Sequence, residues 1–259
     1  MPSLTANLRT SFLSALVCLS ALTAWGGPET NAVFKARAET AFQRTQTLFK
    51  ADPKNSTNAW QFASACFDLT EFATNNIQKA DLSKLGIAAC QQLIAREPKS
   101  APAHYYLAMT DGSLADALAP SMAAYRLIHD IESEFKVAVT LDEKYDFGGS
   151  DRCLGLLYRD APGWPISIGN KRKAREFLER AATLYPDYPE NQLNLAESYL
   201  QWRQRDDAEK ALKKLEAIWH PAQTNLTGEL WEKPWRDWTA RRTGARADFQ
   251  KLYKRVPGT

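Results

Sequence analysis

What most constrains this chain is a recurrence of helix ends. Short stops recur at Pro53, Pro98, Glu143, Pro186 and His220, in successive steps of 45, 45, 43 and 34 residues. LIAREP, FKVAVTLDE and FLERAATLYP align there as one design, a helix with small residues on one side and then a stop. A unit of that length cannot bury its own apolar face, so it must stack on its neighbours and form a solenoid.

The residues of each unit fit paired helices. In the last, Leu195, Ala196 and Tyr199 face Ala208, Leu212 and Leu215. The third repeats this with Leu154, Gly155 and Tyr158 against Ala174, Leu178 and Ala181. The second sets His104, Leu107 and Ala108 against Phe135 and Ala138, and the divergent first sets Trp60 and Phe67 against Gly86, Cys90 and Leu93. Small residues at Gly155, Ala174 and Ala196 let two helices approach closely while larger ones fill the space between. Over roughly residues 30 to 220 the sequence resembles the tetratricopeptide-repeat superfamily, whose repeat length the last step matches.

The expected architecture is therefore all-α, a tetratricopeptide-like solenoid of about four helix pairs. The additional residues of the longer units are assigned to enlarged hairpin loops, NNIQKADLS, TDGSLADALAPSM and RDAPGWPISIGN, from their turn-forming composition. Beyond His220 a linker leads into a helix from about Pro234 to Arg255, whose Trp238, Phe249 and Leu252 would seal the last repeat. The divisions are 1–26 as a cleaved leader, 27–222 as solenoid and 223–259 as linker and cap.

Enlarged hairpins, an export signal and the stretch APGWPISIGNKRKAREFLERA, centred on residues 149–200, resemble the T-component family associated with TRAP transporters. The resemblance implies a periplasmic helical-repeat protein, often a lipoprotein, working beside a solute-binding protein. This chain departs from it at the lipid-attachment motif, because Val17 stands before Cys18 where a small residue is required. The alternative within binding proteins is a scaffold for an envelope complex that holds extended peptides.

Export is read from the uncharged run Phe12–Trp25 behind Arg9, too short for a permanent span and followed by Ala24 and Gly26 as a cleavage site. The expected location is periplasmic or secreted, with no integral span after cleavage. A charge of +3 with 44% hydrophobic residues gives nucleic acid no electrostatic claim. Cleavage leaves Cys66, Cys90 and Cys153, an odd number, with Cys66 and Cys90 the candidate disulfide and three buried thiols the alternative.

In the tetratricopeptide register the concave groove is lined by Asn58, Gln61 and Asp68, then Tyr105 and Met109, then Arg152, Leu156 and Arg159, then Glu190, Leu193 and Glu197. Arg152 and Arg159 share one helix face and, with Tyr105, form a candidate site for a small anionic ligand. The same arginines are placed to pair with Glu190, Glu197 or Asp151 instead. A second candidate is Trp164, a contact aromatic between prolines, followed by Asn170, Lys171 and Arg172, where Asn170 caps a helix whose cationic first turn suits an anion. The tryptophans after Gln201 read as capping core, although 13 basic residues accompany 8 acidic ones there. His104 falls at a packing position. His129 and Asp130 lie with Glu132 and Glu134 on one helix, but neighbours one or two apart do not share a face, so no metal cluster is implied. No nucleophile or phosphate-loop motif occurs, so the expectation is a binding protein and not an enzyme, with no cofactor and no metal. Its partners are a solute-binding protein or envelope complex, and a homo-oligomer stays open. Sequencing the protein recovered from the periplasm is expected to give an N-terminus at Gly27; an intact Met1 would refute the leader.

Overall fold

The computed structural model describes residues 28–254, and the leader expected over 1–26, with Cys18, lies outside them. The described residues form ten helices: α1 (Pro28–Ala51), α2 (Ser56–Thr70), α3 (Asn76–Arg96), α4 (Ala101–Leu118), α5 (Met122–Leu141), α6 (Tyr145–Asp160), α7 (Lys171–Leu184), α8 (Pro189–Gln201), α9 (Arg205–Asn225) and α10 (Glu229–Tyr253). Several starts are set locally. Asn55, Asn75, Ser121 and Asn170 each accept, through the side chain, a backbone N–H three residues on. Pro102 and Pro189 stand in the first turns of α4 and α8, where a missing N–H costs nothing.

The helices pair as α2/α3, α4/α5, α6/α7 and α8/α9, the pairing read from the small residues, with α1 packed on α2 and α10 on α8 and α9. One continuous cluster, from Leu156 and Leu178 through Leu193, Leu212 and Leu215 to Trp238 and Phe249, fills the C-terminal half. A second, built on Ile128, Ile131, Phe135, Leu154 and Tyr158, fills the middle.

Two features differ from expectation. Of the three anticipated loops, only 161–170 is one; 76–83 and 110–118 lie in α3 and α4. The added residues lengthen helices because Ala80, Leu82, Ser83, Ala115 and Ala117 are buried there, and continuing the helix satisfies their backbone groups. Helix α9 also runs past Pro221 to Asn225. The extension buries Ala222, and the Leu226 carbonyl that follows accepts from Trp235 Nε1 at 2.7 Å.

Gly155 shows why small residues are needed. A Cβ there would lie 2.5 Å from Leu178 Cγ and 3.1 Å from the Leu178 backbone nitrogen. In an unconstrained helix, glycine to alanine stabilises by about 0.5–1 kcal/mol. Gly155→Ala is instead expected to lower stability by about 1–3 kcal/mol, the cost of overpacking. Gly244→Ala in α10, with nothing within 4 Å of the added carbon, should be neutral or stabilising. Urea unfolding of both variants checks the contrast.

Candidate functional site

The chemistry of the concave side begins at the first turn of α6. Asp146, Phe147 and Gly148 have φ of 50°, 55° and 74°, left-handed values that non-glycine residues avoid. Arg152, itself only 5% exposed, holds this turn. Its Nη2 donates to Asp146 Oδ2 at 2.6 Å, and its Nη1 reaches the Asp146 carbonyl at 3.3 Å and Asn191 Oδ1 at 3.2 Å. Asn191 Nδ2 in turn donates to the Phe147 carbonyl at 3.1 Å. Tyr105 completes the set by donating its hydroxyl to Asp146 Oδ2 at 2.7 Å. Gly149 makes room for that bond, since a Cβ there would sit 2.9 Å from the Tyr105 hydroxyl.

Charges then alternate outward. Burial alone would weaken the basicity of Arg152, but the Glu190 and Asp146 carboxylates outweigh it and raise its pKa well above the usual value. Glu190 faces Arg241 of α10 at 3.6 Å, and Arg241 also holds Glu197 at 2.7 Å and Asn194 at 2.5 Å. The row Asp146, Arg152, Glu190, Arg241, Glu197 thus ties α6, α8 and α10 together. Farther along, Lys233 of α10 pairs with Glu71, the C-cap of α2, at 2.9 Å. Glu229 and Glu232 meet Arg37 of α1 at 2.8 and 2.6 Å, and Arg236 donates to Asn31 at 2.8 Å. Helix α10 therefore straps the concave side from the last repeat to the first, packed on α8 and α9 at one end and joined to α1 and α2 by long polar side chains at the other.

This placement corrects the anion site. Tyr105 is committed to Asp146, Arg152 to the left-handed turn, and Arg159 forks Asp160 through Nε at 2.7 Å and Nη2 at 2.6 Å, with Nη1 on Ser198. Glu197 belongs to Arg241, and Asp151 to Arg180, whose Nε lies 2.6 Å from it. Of the partners offered by the sequence reading, Glu190 keeps its electrostatic hold on Arg152, while Glu197 and Asp151 are taken by other arginines, because α10 and α7 supply them. Asp68, also a groove residue, is exposed. Tyr106 and Trp60 stack beside it at 6.0 Å.

The disulfide is likewise corrected: Cys66, Cys90 and Cys153 are buried free thiols. Cys66 packs with Phe62 and Ala89, Cys90 with Ala63 and Leu107, and Cys153 lies 3.8 Å from Met109 Sδ. Burial pushes the Cys66 and Cys153 thiols up to about 12, which removes the reactive thiolate at neutral pH. His104 is buried and spans from the Pro98 carbonyl to Glu134. Among the described residues no three metal-ligating side chains converge, and no helix is long and apolar enough to cross a membrane.

The second candidate lies at the start of α7 and in the loop before it. Asn170 caps α7, accepting from the Lys173 amide at 3.0 Å. Lys171 lies over Trp202 at 5.4 Å and Lys173 over Tyr158 at 4.8 Å, so two of the first-turn cations rest on aromatic faces, while Arg172 is exposed. Trp164 is 89% exposed and Ile166 61%. Their loop is braced by the Gly169 amide on the Pro162 carbonyl and the Asn170 amide on the Tyr158 carbonyl, both at 2.8 Å.

The other turns between paired helices lie along the same edge. Lys79 pairs with Asp116 at 2.6 Å, which sets the first turn beside the second, and Tyr125, Ile168 and Trp202 pack on one core cluster, which aligns the rest. Ile77 (75% exposed) and Met122 (71%) project there as well. The edge carboxylates Glu71, Asp116, Asp160, Asp206 and Asp207 are ion-paired. Arg126, Lys171, Arg172 and Arg203 have no carboxylate partner among the described residues. Sequence reasoning found Trp164 and missed Ile77 and Met122, whose exposure depends on α3 and α5 beginning where they do.

Two family models match parts of the chain. The one described as Regulator of microtubule dynamics protein 1-3 matches residues 29–147, and the one described as Tetratricopeptide repeat matches residues 169–218. A thermophilic tetratricopeptide protein from Thermus thermophilus is similar in structure at a TM-score of 0.60 and 19% identity, over 84% of this chain and 93% of its own. MamA is similar at 0.50 and 18% identity, over 76% of this chain and 97% of its own. No curated protein gives a significant match. The fold is thus a tetratricopeptide-type solenoid, a class of helical repeats that serves protein interaction.

Arg152 is expected to behave as a structural residue. Arg152→Ala leaves Asp146 without its cation and the left-handed turn without its donor, and should cost about 3–5 kcal/mol, as when one partner of a buried pair is removed. Guanidinium unfolding measures it, and a loss under 1 kcal/mol would break this account of the hub.

Proposed function

We propose that this protein is an exported interaction module that docks a partner protein along the edge formed by its turns, while its groove is held closed by α10. The observation that carries the reading is the braced 161–170 loop, which presents Trp164 and Ile166 to solvent in line with Met122 and Ile77. Exposed apolar side chains gathered on one face mark interaction sites more often than chance surface exposure does, and tryptophan is enriched among residues that dominate binding. The unpaired cations beside them favour a partner whose apolar patch is ringed by carboxylates.

In the transporter-associated form of this reading, the partner is a solute-binding protein and the location is the periplasm. Support comes from the uncharged run over 12–25 and from the APGWPISIGN stretch, which supplies the exposed loop. The regulator family match ends at Phe147 and leaves that loop outside it. A small anionic ligand is not carried forward, because the arginines that would hold it are engaged.

The test is cross-linking of the mature protein in its own envelope fraction, with mass spectrometry of the adducts. A solute-binding protein cross-linked to residues of the turn edge is the expected product, lost when Trp164 and Ile166 are both changed to Ser. Those surface changes should alter stability by no more than about 0.5 kcal/mol. Cross-links that persist in the double variant, or that map to the concave side, would overturn the edge as the docking surface.

A further inference from the structure

A separate cleft opens between α3, α4 and α5. It is broadly open to solvent, with a volume of about 430 Å³, and its walls include Ile87, Leu114 and Leu127. Asp111 lies in it from α4, with Asp130 and Glu134 of α5 in the same lining. Asp111 is 7% exposed and has no hydrogen-bond or ion-pair partner among the described residues. A carboxylate that deep is normally paired, and one left open to a cavity marks a place where a cation belongs. Asp130 and Glu134 are one helical turn apart on one face, so their field adds to that of Asp111.

We propose that this cleft binds the ammonium group of an aliphatic amine, with Asp111 as its counter-ion and the apolar walls holding the alkyl chain. The chemistry is shared by a free alkylamine and by a lysine side chain of a bound peptide. A compact metal ion fits less well. The described residues gather no three-ligand group, and the leucine and isoleucine walls offer such an ion nothing.

The empty cleft has a consequence for pH. Asp111 is pushed up to about 7, by burial first and then by the charges of Asp130 and Glu134. The groups facing it are Lys84 and Cys90 from α3, Asp130 and Glu134 from α5, and His104 of α4 against Glu134. Lys84 is also part of the lining; its ion pair, at 3.4 Å, is with the exposed Asp81 and not with Asp111. An incoming ammonium needs the ionised carboxylate. Binding therefore strengthens as pH rises through 7 and displaces a proton from Asp111.

The experiment is calorimetric titration of the mature protein with hexylamine and, separately, with the peptide acetyl-Ala-Lys-Ala-amide, using hexanol as the neutral isostere. For a group titrating near 7, affinity for the amine should be about tenfold higher at pH 8 than at pH 6. At pH 7 the heat should differ between buffers of different ionisation enthalpy, reporting proton release. Asp111→Asn should abolish measurable amine binding without loss of thermal stability, since it removes an unpaired buried charge. Leu127→Trp, which fills the cleft and keeps the carboxylate, should also weaken it at least tenfold. Binding by hexylamine alone identifies a free amine as the ligand class, and binding by the peptide identifies a lysine side chain; either supports the site. No binding by either probe at millimolar concentration, equal binding of hexanol, or unchanged binding in Asp111→Asn would overturn it.

Discussion

The buried guanidinium of Arg152 is the interaction on which the concave side depends. It offsets the strain of two left-handed non-glycine residues, Asp146 and Phe147, at the start of α6, and it begins the alternating row that passes through Glu190 to Arg241 of α10. A charge in this position is costly to desolvate, so it persists only because Asp146, the turn carbonyls and Asn191 all accept from it. Its acceptors lie on α6 and α8, so this forked set fixes how those two helices meet, and Glu190 of α8 carries the alternation on to Arg241 of α10.

The consequence for function is a change of surface. Tetratricopeptide arrays offer a concave face to extended partners, but here α10 crosses that face and reaches α1 and α2 through Lys233, Glu229, Glu232 and Arg236. What remains outward is the edge of turns, with Trp164 at the tip of a braced loop, and the cleft of Asp111 on the side formed by α3, α4 and α5. The strap's far end has ion pairs exposed enough to be screened by salt, whereas its near end is held by Trp238 and Phe249 in the core. The two ends therefore differ in what would loosen them.

Much of the repeat organisation was legible in the residues themselves. Asn170 capping α7, Gly155 against Leu178 and the pairing of α6/α7 and α8/α9 follow from spacing and size, because a helix pair has few ways to bury small residues against large ones. The loops were legible only where Pro and Gly crowd together, at 161–170. Asn75 and Ser121 mark helix starts as plainly as turns, and burial of Ser83 and Ala115 decided for helix. The site residues fared differently. Arg152 and Arg159 look free on a helix face until Asp146 and Asp160 are placed beside them. Asp111 is unremarkable within TDGSL, and no local pattern says that its carboxylate will be buried without a partner.

The sequence by itself determined the all-α repeat, the caps, the close helix contacts and the tryptophan-rich terminal seal. These are set by neighbours within one repeat or the next, where composition and period fix which side chains meet. Only the tertiary structure decided that the last helix returns across the concave side, that the cysteines stay unbonded, that the arginines are consumed and that Asp111 is left open in its cleft. Those outcomes rest on side chains tens to hundreds of positions apart, such as Arg37 with Glu232 and Arg152 with Asn191. Their pairing is chosen by the curvature of the whole stack, which no local spacing contains.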